Sequence, residues 1–422
     1  FFHLWINRVY VGFSKDSRLS ADFNITDFIQ QTTDPNQSES DVIIEVIVLR
    51  FSDGHYLEDQ DMFNLSGIFR DVLVYFVPKH EVTISDFNWH FRDDKKSYDA
   101  QIEVEVDLQL STLNDSRKSE AGVYGLEVSL FEEGKLLSSY YPQIPEQDME
   151  KVQENKTSVR SCFNPQRPEF IFENASCATP VVSDMRYVQK NDVNWFSDPT
   201  NSAIIVRKEK LSLSIPASKC RLWSAENPNV YTLTVTLYDV SDSNSGKSSG
   251  KSNGSRNSPD NLGRVVQSES CRVGLRTIQI TPGGVLTVNQ RTVTIRGVNL
   301  HEHDPVFGHV ITPQLLEADI ILMKRHNFNA VRTSHYPQQP WFYELCTVYG
   351  MYVVDECNIE THGMQPSVGR LAEDSDWEEA HMLRLQRMYH RDKRHACVLA
   401  WSLGNEAGYG KTHDLMAAWI RR

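Results

Sequence analysis

Four short apolar runs in the last third of this 422-residue chain each lead into side chains that can do chemistry. Asn299, His301, Glu302 and His303 follow the first run, and Arg332, Ser334 and His335 close the second. Asp355 and Glu356 end the third, with Glu360 and His362 just beyond, and Asn405 and Glu406 follow the fourth. Packing alone favours apolar or turn residues at such places, so polar endings on all four runs point to a cleft. Carboxylates, imidazoles and amides, without a Ser or Cys nucleophile elbow, suit sugar chemistry. Glycoside hydrolysis needs one carboxyl group to protonate the leaving oxygen and a second to attack the anomeric carbon or activate water. Glu406 is the expected acid. It follows the apolar Val398, Leu399, Ala400, Trp401 and Leu403, and partly dry surroundings would raise its pKa towards the range a general acid needs. Glu360 and His362 alternate along the chain, so both could face one cation, Mg²⁺ or a similar divalent ion with waters. Taken alone, such a triplet is more often structural.

These residues need a scaffold, and the pattern around them alternates strand and helix. Thr292–Asn299 reads as a strand. Thr312-Pro313 opens a helix with Thr as N-cap and Pro in the first turn, and Leu315, Leu316, Ala318, Ile320, Ile321 and Met323 form one broad apolar face. Phe328–His335 is a second strand, Pro340–Tyr349 a helix stopped by Gly350, and Tyr352–Glu356 a third strand. Ser375-Asp376-Trp377-Glu378 reads as a capping box for a helix to about Asp392. Val398–Leu403 is the fourth strand, and His413–Arg422 begins another helix. Serial β-α units predict a parallel sheet with right-handed crossovers, closed as an eightfold barrel or open and doubly wound. No Gly-rich phosphate loop follows the first strand, which argues against the nucleotide-binding version. In a barrel, the carboxyl ends of the strands are where an active site forms.

The preceding 275 or so residues read as strands: Val42–Leu49, Val72–Val77, Ala100–Leu110, Leu211–Ile215 and Tyr231–Tyr238. Period-two alternation between turn residues indicates antiparallel sandwiches or jelly rolls. Residues 143–207 read as an irregular insertion, and the Ser/Gly/Asn-rich stretch 241–261 as a long, flexible loop. The net charge of −13 argues against a nucleic-acid partner. No run of about 18 apolar residues suggests a membrane span. Seven scattered cysteines without paired spacing suggest free thiols and a reducing, cytoplasmic setting. The triplets at Asn24, Asn155 and Asn174 are weak signs of secretion.

Five ordered segments carry a resemblance. They are YLEDQDMFNLSGIFRD (Tyr56–Asp71), IRGVNLHEHDP (Ile295–Pro305), NFNAVRTSHYP (Asn327–Pro337), YVVDECNIETHG (Tyr352–Gly363) and AWSLGNEAG (Ala400–Gly408). Together they resemble the signature segments of bacterial-type β-galactosidases of glycoside hydrolase family 2. The resemblance implies a multidomain β plus α/β chain: a jelly-roll sugar-binding domain (1–79), an immunoglobulin-like sandwich (80–277) and the first half of a (β/α)8 TIM barrel (278–422). It implies retaining hydrolysis of terminal β-D-galactosides such as lactose. By segment match, Glu406 is the acid/base, Asn405, His301 and His335 contact the sugar, and Arg332 supports them. Glu360, His362 and Glu406 would hold Mg²⁺. Asp61, otherwise read as a solvated loop acid, would bind Na⁺ and a galactose hydroxyl.

The resemblance also implies a glutamate nucleophile after a seventh barrel strand, beyond Arg422, so this chain alone is expected not to turn over. The complete protein is expected to be a homo-oligomer. β-Glucuronidase or β-mannosidase activity within the same family, or non-catalytic carbohydrate binding, are the alternatives; Asp61 and the His301/His335 pair favour galactose.

Overall fold

The computed structural model describes residues 1–30, 41–75, 82–92, 99–110, 123–132, 182–189, 196–197, 205–239, 264–364 and 370–422. The stretch 241–261, most of 143–207, Cys162, Cys177, Asn155 and Asn174 lie outside the described residues. The chain divides into two compact units, 1–72 with 294–422, and 73–293.

The first unit begins with a three-stranded antiparallel sheet in the order β2 (Val9–Ser14), β1 (Phe2–Ile6), β3 (Ile44–Val48). Asn7 and Arg8 join β1 to β2 with φ of 48° and 68°. That is the two-residue hairpin whose twist matches its flanking strands. A short helix, α1 (Thr26–Gln30), lies between β2 and β3 in the chain. The strand expected at Val72–Val77 does not form over its described part, since 71–75 carry no strand pairing.

The second unit is a β-sandwich. One sheet has the order β4 (Val82–Arg92), β5 (Asp99–Leu110), β9 (Ile205–Pro216), β8 (Phe196–Ser197). The other has β11 (Arg264–Val273), β10 (Tyr231–Asp239), β6 (Val123–Glu132), β7 (Val182–Gln189). Alternate residues of β5 (Ile102, Val104, Val106, Leu108), β6 (Leu126, Val128, Leu130) and β10 (Leu233, Val235, Leu237) enter one shared core. The period-two pattern therefore reads out as burial on one face of each sheet. Strand β7 falls inside the stretch expected to be irregular, and it pairs with β6 over eight residues, Val182 to Gln189. A small sheet of β12 (Ile278–Ile280), β13 (Leu286–Val288) and β14 (Arg291–Thr292) completes this unit.

The first unit resumes with four parallel strands: β15 (Gly297–Leu300), β16 (Ala330–Thr333), β17 (Tyr352–Glu356) and β18 (Val398–Ser402). Their spatial order follows the chain without reversal. A doubly wound sheet reverses direction at a switch point, so sequential order is the barrel arrangement. Helix α2 (Pro313–Arg325) is capped by the Thr312 side chain, which accepts from Leu315 N at 3.3 Å. Its buried face is narrower than expected: Leu316 and Ile320 are buried, whereas Leu315 is exposed. Helix α3 (Pro340–Tyr349) ends at Gly350, whose φ of 75° suits glycine. Strand β15 is shorter than expected, because Arg291 and Thr292 pair with β13 instead. Ser375 does not cap a helix. Asp374 caps a 3-10 turn (Ser375–Trp377), and helix α4 starts at Glu378 and runs to Asp392. Helix α5 (Lys411–Ile420) closes the described chain. Beneath the loops after β17 and β18 lies an apolar cluster of Cys357, Ile359, Leu385, Met388, Ala407 and Met416. Among the described residues, Cys220, Cys271, Cys346, Cys357 and Cys397 form no disulfide with one another.

Candidate active site

The parallel strands bring two charge clusters to their carboxyl ends. The first is buried and centred on Glu356, the last residue of β17. Its Oε1 accepts from His335 Nδ1 at 2.7 Å and Arg332 Nη2 at 2.8 Å. Its Oε2 accepts from Arg332 Nε at 2.8 Å and Ser402 Oγ at 2.6 Å. Burial works to raise its pKa, but the bonds from His335, Arg332 and Ser402, with the Arg332 charge, outweigh it and hold the carboxyl below the usual range. Arg332 Nη2 also donates to Asn405 Oδ1 at 2.9 Å.

The second cluster is open to solvent. Glu360, His362 and Glu406 bring one donor atom each to within 4.8 Å of one another. His362 Nδ1 pairs directly with Glu406 Oε2. The Glu406 side chain is 54% exposed and that of His362 67%, whereas Glu360 is buried at 3%. Dry surroundings for Glu406 are therefore not found. The apolar strand ends at Ser402, and Glu406 sits four residues further on, in a loop, with φ of 39°. Burial raises the pKa of Glu360, and the nearby Glu406 and Asp61 charges add to that, against a hydrogen bond from Asn405 and the charge of His335. Glu360 Oε2 is buried without a hydrogen-bond partner. A cation bound beside it would satisfy that oxygen, and two carboxylates with an imidazole suit a divalent ion. The donor set therefore fits a metal.

Asn405 connects the clusters, through Arg332 on one side and Glu360 on the other. Its position depends on Gly404, where an added Cβ would lie 2.6 Å from Ile359 O. That close approach lets Asn405 N donate to Ile359 O at 2.9 Å.

Asp61 reaches the same region from the early chain. Glu360 N donates to Leu57 O at 2.8 Å and Asp59 N to Glu360 O at 3.1 Å, a short parallel pairing. Buried anchors hold this segment. Glu58 accepts from Arg384 Nη1 at 2.6 Å and Asn358 Nδ2 at 3.0 Å. Asp16 accepts from Asn358 Nδ2 at 3.0 Å. Burial opposes the Asp16 carboxylate, but Arg384 and Arg387 hold its pKa below the usual range. Gln60 Nε2 donates to Asn358 Oδ1 at 3.1 Å. Asp61 itself is exposed, close enough for its charge to act on Glu360.

His301 Nδ1 lies 3.3 Å from Tyr336 Oη, and its ring stands edge-on to His335 at 5.5 Å between centroids. Burial lowers its pKa, and the charges of His335 and Arg18 lower it further. Tyr336 is buried under the Arg18 guanidinium, 3.7 Å from the ring centroid, and Arg18 and Arg70 both pair with Glu302.

All eight residues singled out for the site are thus placed in one unit: Asp61, His301, Arg332, His335, Glu360, His362, Asn405 and Glu406. Sequence reasoning missed the supports: Glu356 as a hub, Glu58 and Asp16 under Arg384, and Glu302 under Arg18 and Arg70. Glu356 had a signal, as a carboxylate ending an apolar strand. Glu302 had the same signal, following the first strand, but Glu58 and Asp16 had none, because spacing does not say which distant charges will meet.

A sequential parallel sheet that gathers carboxylates, imidazoles and an amide at its carboxyl ends, in a chain that also holds a β-sandwich, is the architecture of a multidomain glycoside hydrolase. Family models agree. Residues 1–78 match the glycosyl hydrolases family 2 sugar binding domain, 183–249 match glycosyl hydrolases family 2, and 278–422 match the glycosyl hydrolases family 2 TIM barrel domain. The chain belongs to glycosyl hydrolases family 2, and its four parallel strands are part of that barrel. A β-galactosidase of Erwinia tasmaniensis is 36% identical over 421 residues, covering 100% of this chain and 32% of that protein. One of Yersinia enterocolitica is 35% identical over 420 residues, with the same coverage. The chain thus spans about 32% of the length of these relatives. Among solved structures, a β-glucuronidase of Parabacteroides merdae aligns with a TM-score of 0.63 at 16% identity, covering 97% of this chain and 40% of that one. A β-glycosidase from Bacteroides vulgatus aligns at 0.60 with 19% identity, covering 100% and 41%. These likenesses concern the fold.

Proposed function

We propose that the protein hydrolyses terminal β-D-galactosides, lactose among them, with net retention, and that Glu406 is its general acid/base. The observation that carries this reading is the convergence of Glu360, His362 and Glu406 at the ends of parallel barrel strands, with Asn405 beside them. Galactose, rather than glucuronate or mannose, is supported by whole-chain identity of 35–36% to proteins named β-galactosidase. Asn405, His301, His335 and Asp61 would bind sugar hydroxyls. Glu360, His362 and Glu406 would hold Mg²⁺, and Asp61 would help to hold Na⁺. A bound divalent ion would offset the crowded negative charge and so tune how readily Glu406 gives up its proton. In the first half-reaction Glu406 protonates the departing glycosidic oxygen, while a second carboxylate attacks the anomeric carbon. In the second, Glu406 takes a proton from the water that releases galactose.

Glu356, Asp355 and Glu360 do not suit the nucleophile's role in this reading. Every oxygen lone pair of Glu356 is engaged by donors. Asp355 is wholly buried, with its pKa pushed well up by burial and by the charge of Asp392. Glu360 would serve to hold the metal. In this reading none of these three is the nucleophile, and residues 1–422 expressed alone should not turn over. The test compares that polypeptide with the product of the complete reading frame on galactoside, glucuronide and mannoside substrates. Galactoside turnover by the complete protein alone is expected; preference for glucuronide would overturn the substrate reading.

A further inference from the structure

We infer that Glu356 is a positioning residue that sets which atoms of His335 and Asn405 are offered to the sugar; this rests on the galactosidase reading above. Glu356 ends β17, between the strand that leads to Arg332 and His335 and the strand that leads to Ser402 and Asn405. A carboxylate has about four lone-pair directions. Here four donor contacts, from three side chains on the two flanking strands and their loops, fill them at 2.6–2.8 Å.

Two consequences follow from hydrogen-bond chemistry. An ionised carboxylate only accepts, so the His335 Nδ1 facing it at 2.7 Å carries the hydrogen. The 3.2 Å approach of Arg332 Nη2 to that same nitrogen is then a contact between two donors, and Nε2 is the His335 atom left for a ligand. Second, the two-pronged grip on Arg332 aims its Nη2 at Asn405 Oδ1, which turns the Asn405 amide nitrogen towards Glu360. One buried charge thus fixes the tautomer of one proposed sugar contact and the flip of another. Removing it leaves both side chains present but free to present the wrong atom.

The experiment is a double-mutant cycle in the protein from the complete reading frame, with kcat and KM measured on a nitrophenyl β-galactoside. Glu356→Gln keeps the shape and removes the charge. It should lower kcat/KM by about 10–100-fold, the usual cost of losing a carboxylate behind a functional histidine. His335→Asn alone should lower it too, and the double variant should be little worse than the poorer single one, because both changes remove one unit. Losses that multiply, or a Glu356→Gln enzyme with wild-type kcat/KM, would overturn the inference. Should Glu356→Gln not fold, Glu356→Asp keeps the charge on a shorter arm. It is expected to lose kcat/KM with an unchanged circular dichroism spectrum, and wild-type kcat/KM there would also overturn the inference. A wild-type protein that does not hydrolyse galactosides would overturn the parent reading and this inference together, an outcome distinct from failure of the cycle.

Discussion

Glu356 ends one parallel strand and Glu406 follows its neighbour, yet they meet opposite surroundings. Glu356 is wholly buried and touched by four donors, whereas Glu406 is 54% exposed and pairs with His362. A buried charge is tolerated only when its partners are complete, and completeness leaves nothing over for a substrate. An exposed, incompletely coordinated charge costs the fold little and stays available. Under the proposed function the contrast separates a carboxylate that holds the site from one that acts in it, and Asn405 links the Arg332 that grips the first to Glu360, beside the second.

The sharpest way to break this contrast is to remove a partner from each cluster and compare stability. Arg332→Met leaves Glu356 buried without its main counter-charge and should cost about 3–5 kcal/mol in chemical denaturation. His362→Ala, at an exposed pair, should cost no more than about 0.5 kcal/mol. Equal costs would erase the distinction.

A second effect is a pH dependence of stability in the barrel unit. His381 is fully buried, and burial lowers its pKa from 6.5 to about 4. Between those values the unfolded chain binds the proton and the folded one does not. Stability is therefore full above pH 6.5 and falls as the pH drops towards about 4, by roughly 3 kcal/mol in all. His381→Gln should flatten that slope, measured by denaturation from pH 7 to pH 4. Glu356 acts lower: its depressed pKa gives stability that is present above pH 4.5 and lost as the pH falls through the folded value.

Gly404→Ala tests the link between the clusters. The added methyl meets Ile359 O at a φ of 132°, so the Asn405 pairing must yield. A loss of roughly 1–3 kcal/mol, together with reduced kcat, is expected. The smallest effect on the fold should come from Glu360→Gln, read instead by calorimetry with Mg²⁺. Affinity should fall at least about tenfold, while Glu356→Asp should leave it within about threefold.

Much of this arrangement was legible in the chain. Helix α3 and strand β17 occur at the expected residues, because each is an apolar run with clear punctuation, Pro340 before and Gly350 between. The eight candidate site residues were also named from strand ends and ordered segments. What was not legible depends on pairing across distance. The β-rich neighbours of Thr292 suggest that it belongs with β15, but it pairs antiparallel with β13. The apolar strand before Glu406 suggests dry surroundings, but three loop residues, Leu403 to Asn405, carry it clear. Arg384, which joins Glu58 to Asp16, lies more than 300 residues from either, and no local pattern reports such a meeting.

Leaving-group dependence tests most directly whether Glu406 donates the proton to the leaving group. In the complete protein, Glu406→Gln should lose about 10²–10⁴-fold in kcat/KM on lactose, whose leaving oxygen needs a proton. It should lose far less on a dinitrophenyl β-galactoside, whose leaving group departs as an anion. Equal losses on both substrates, or an undiminished rate on lactose, would contradict the assignment.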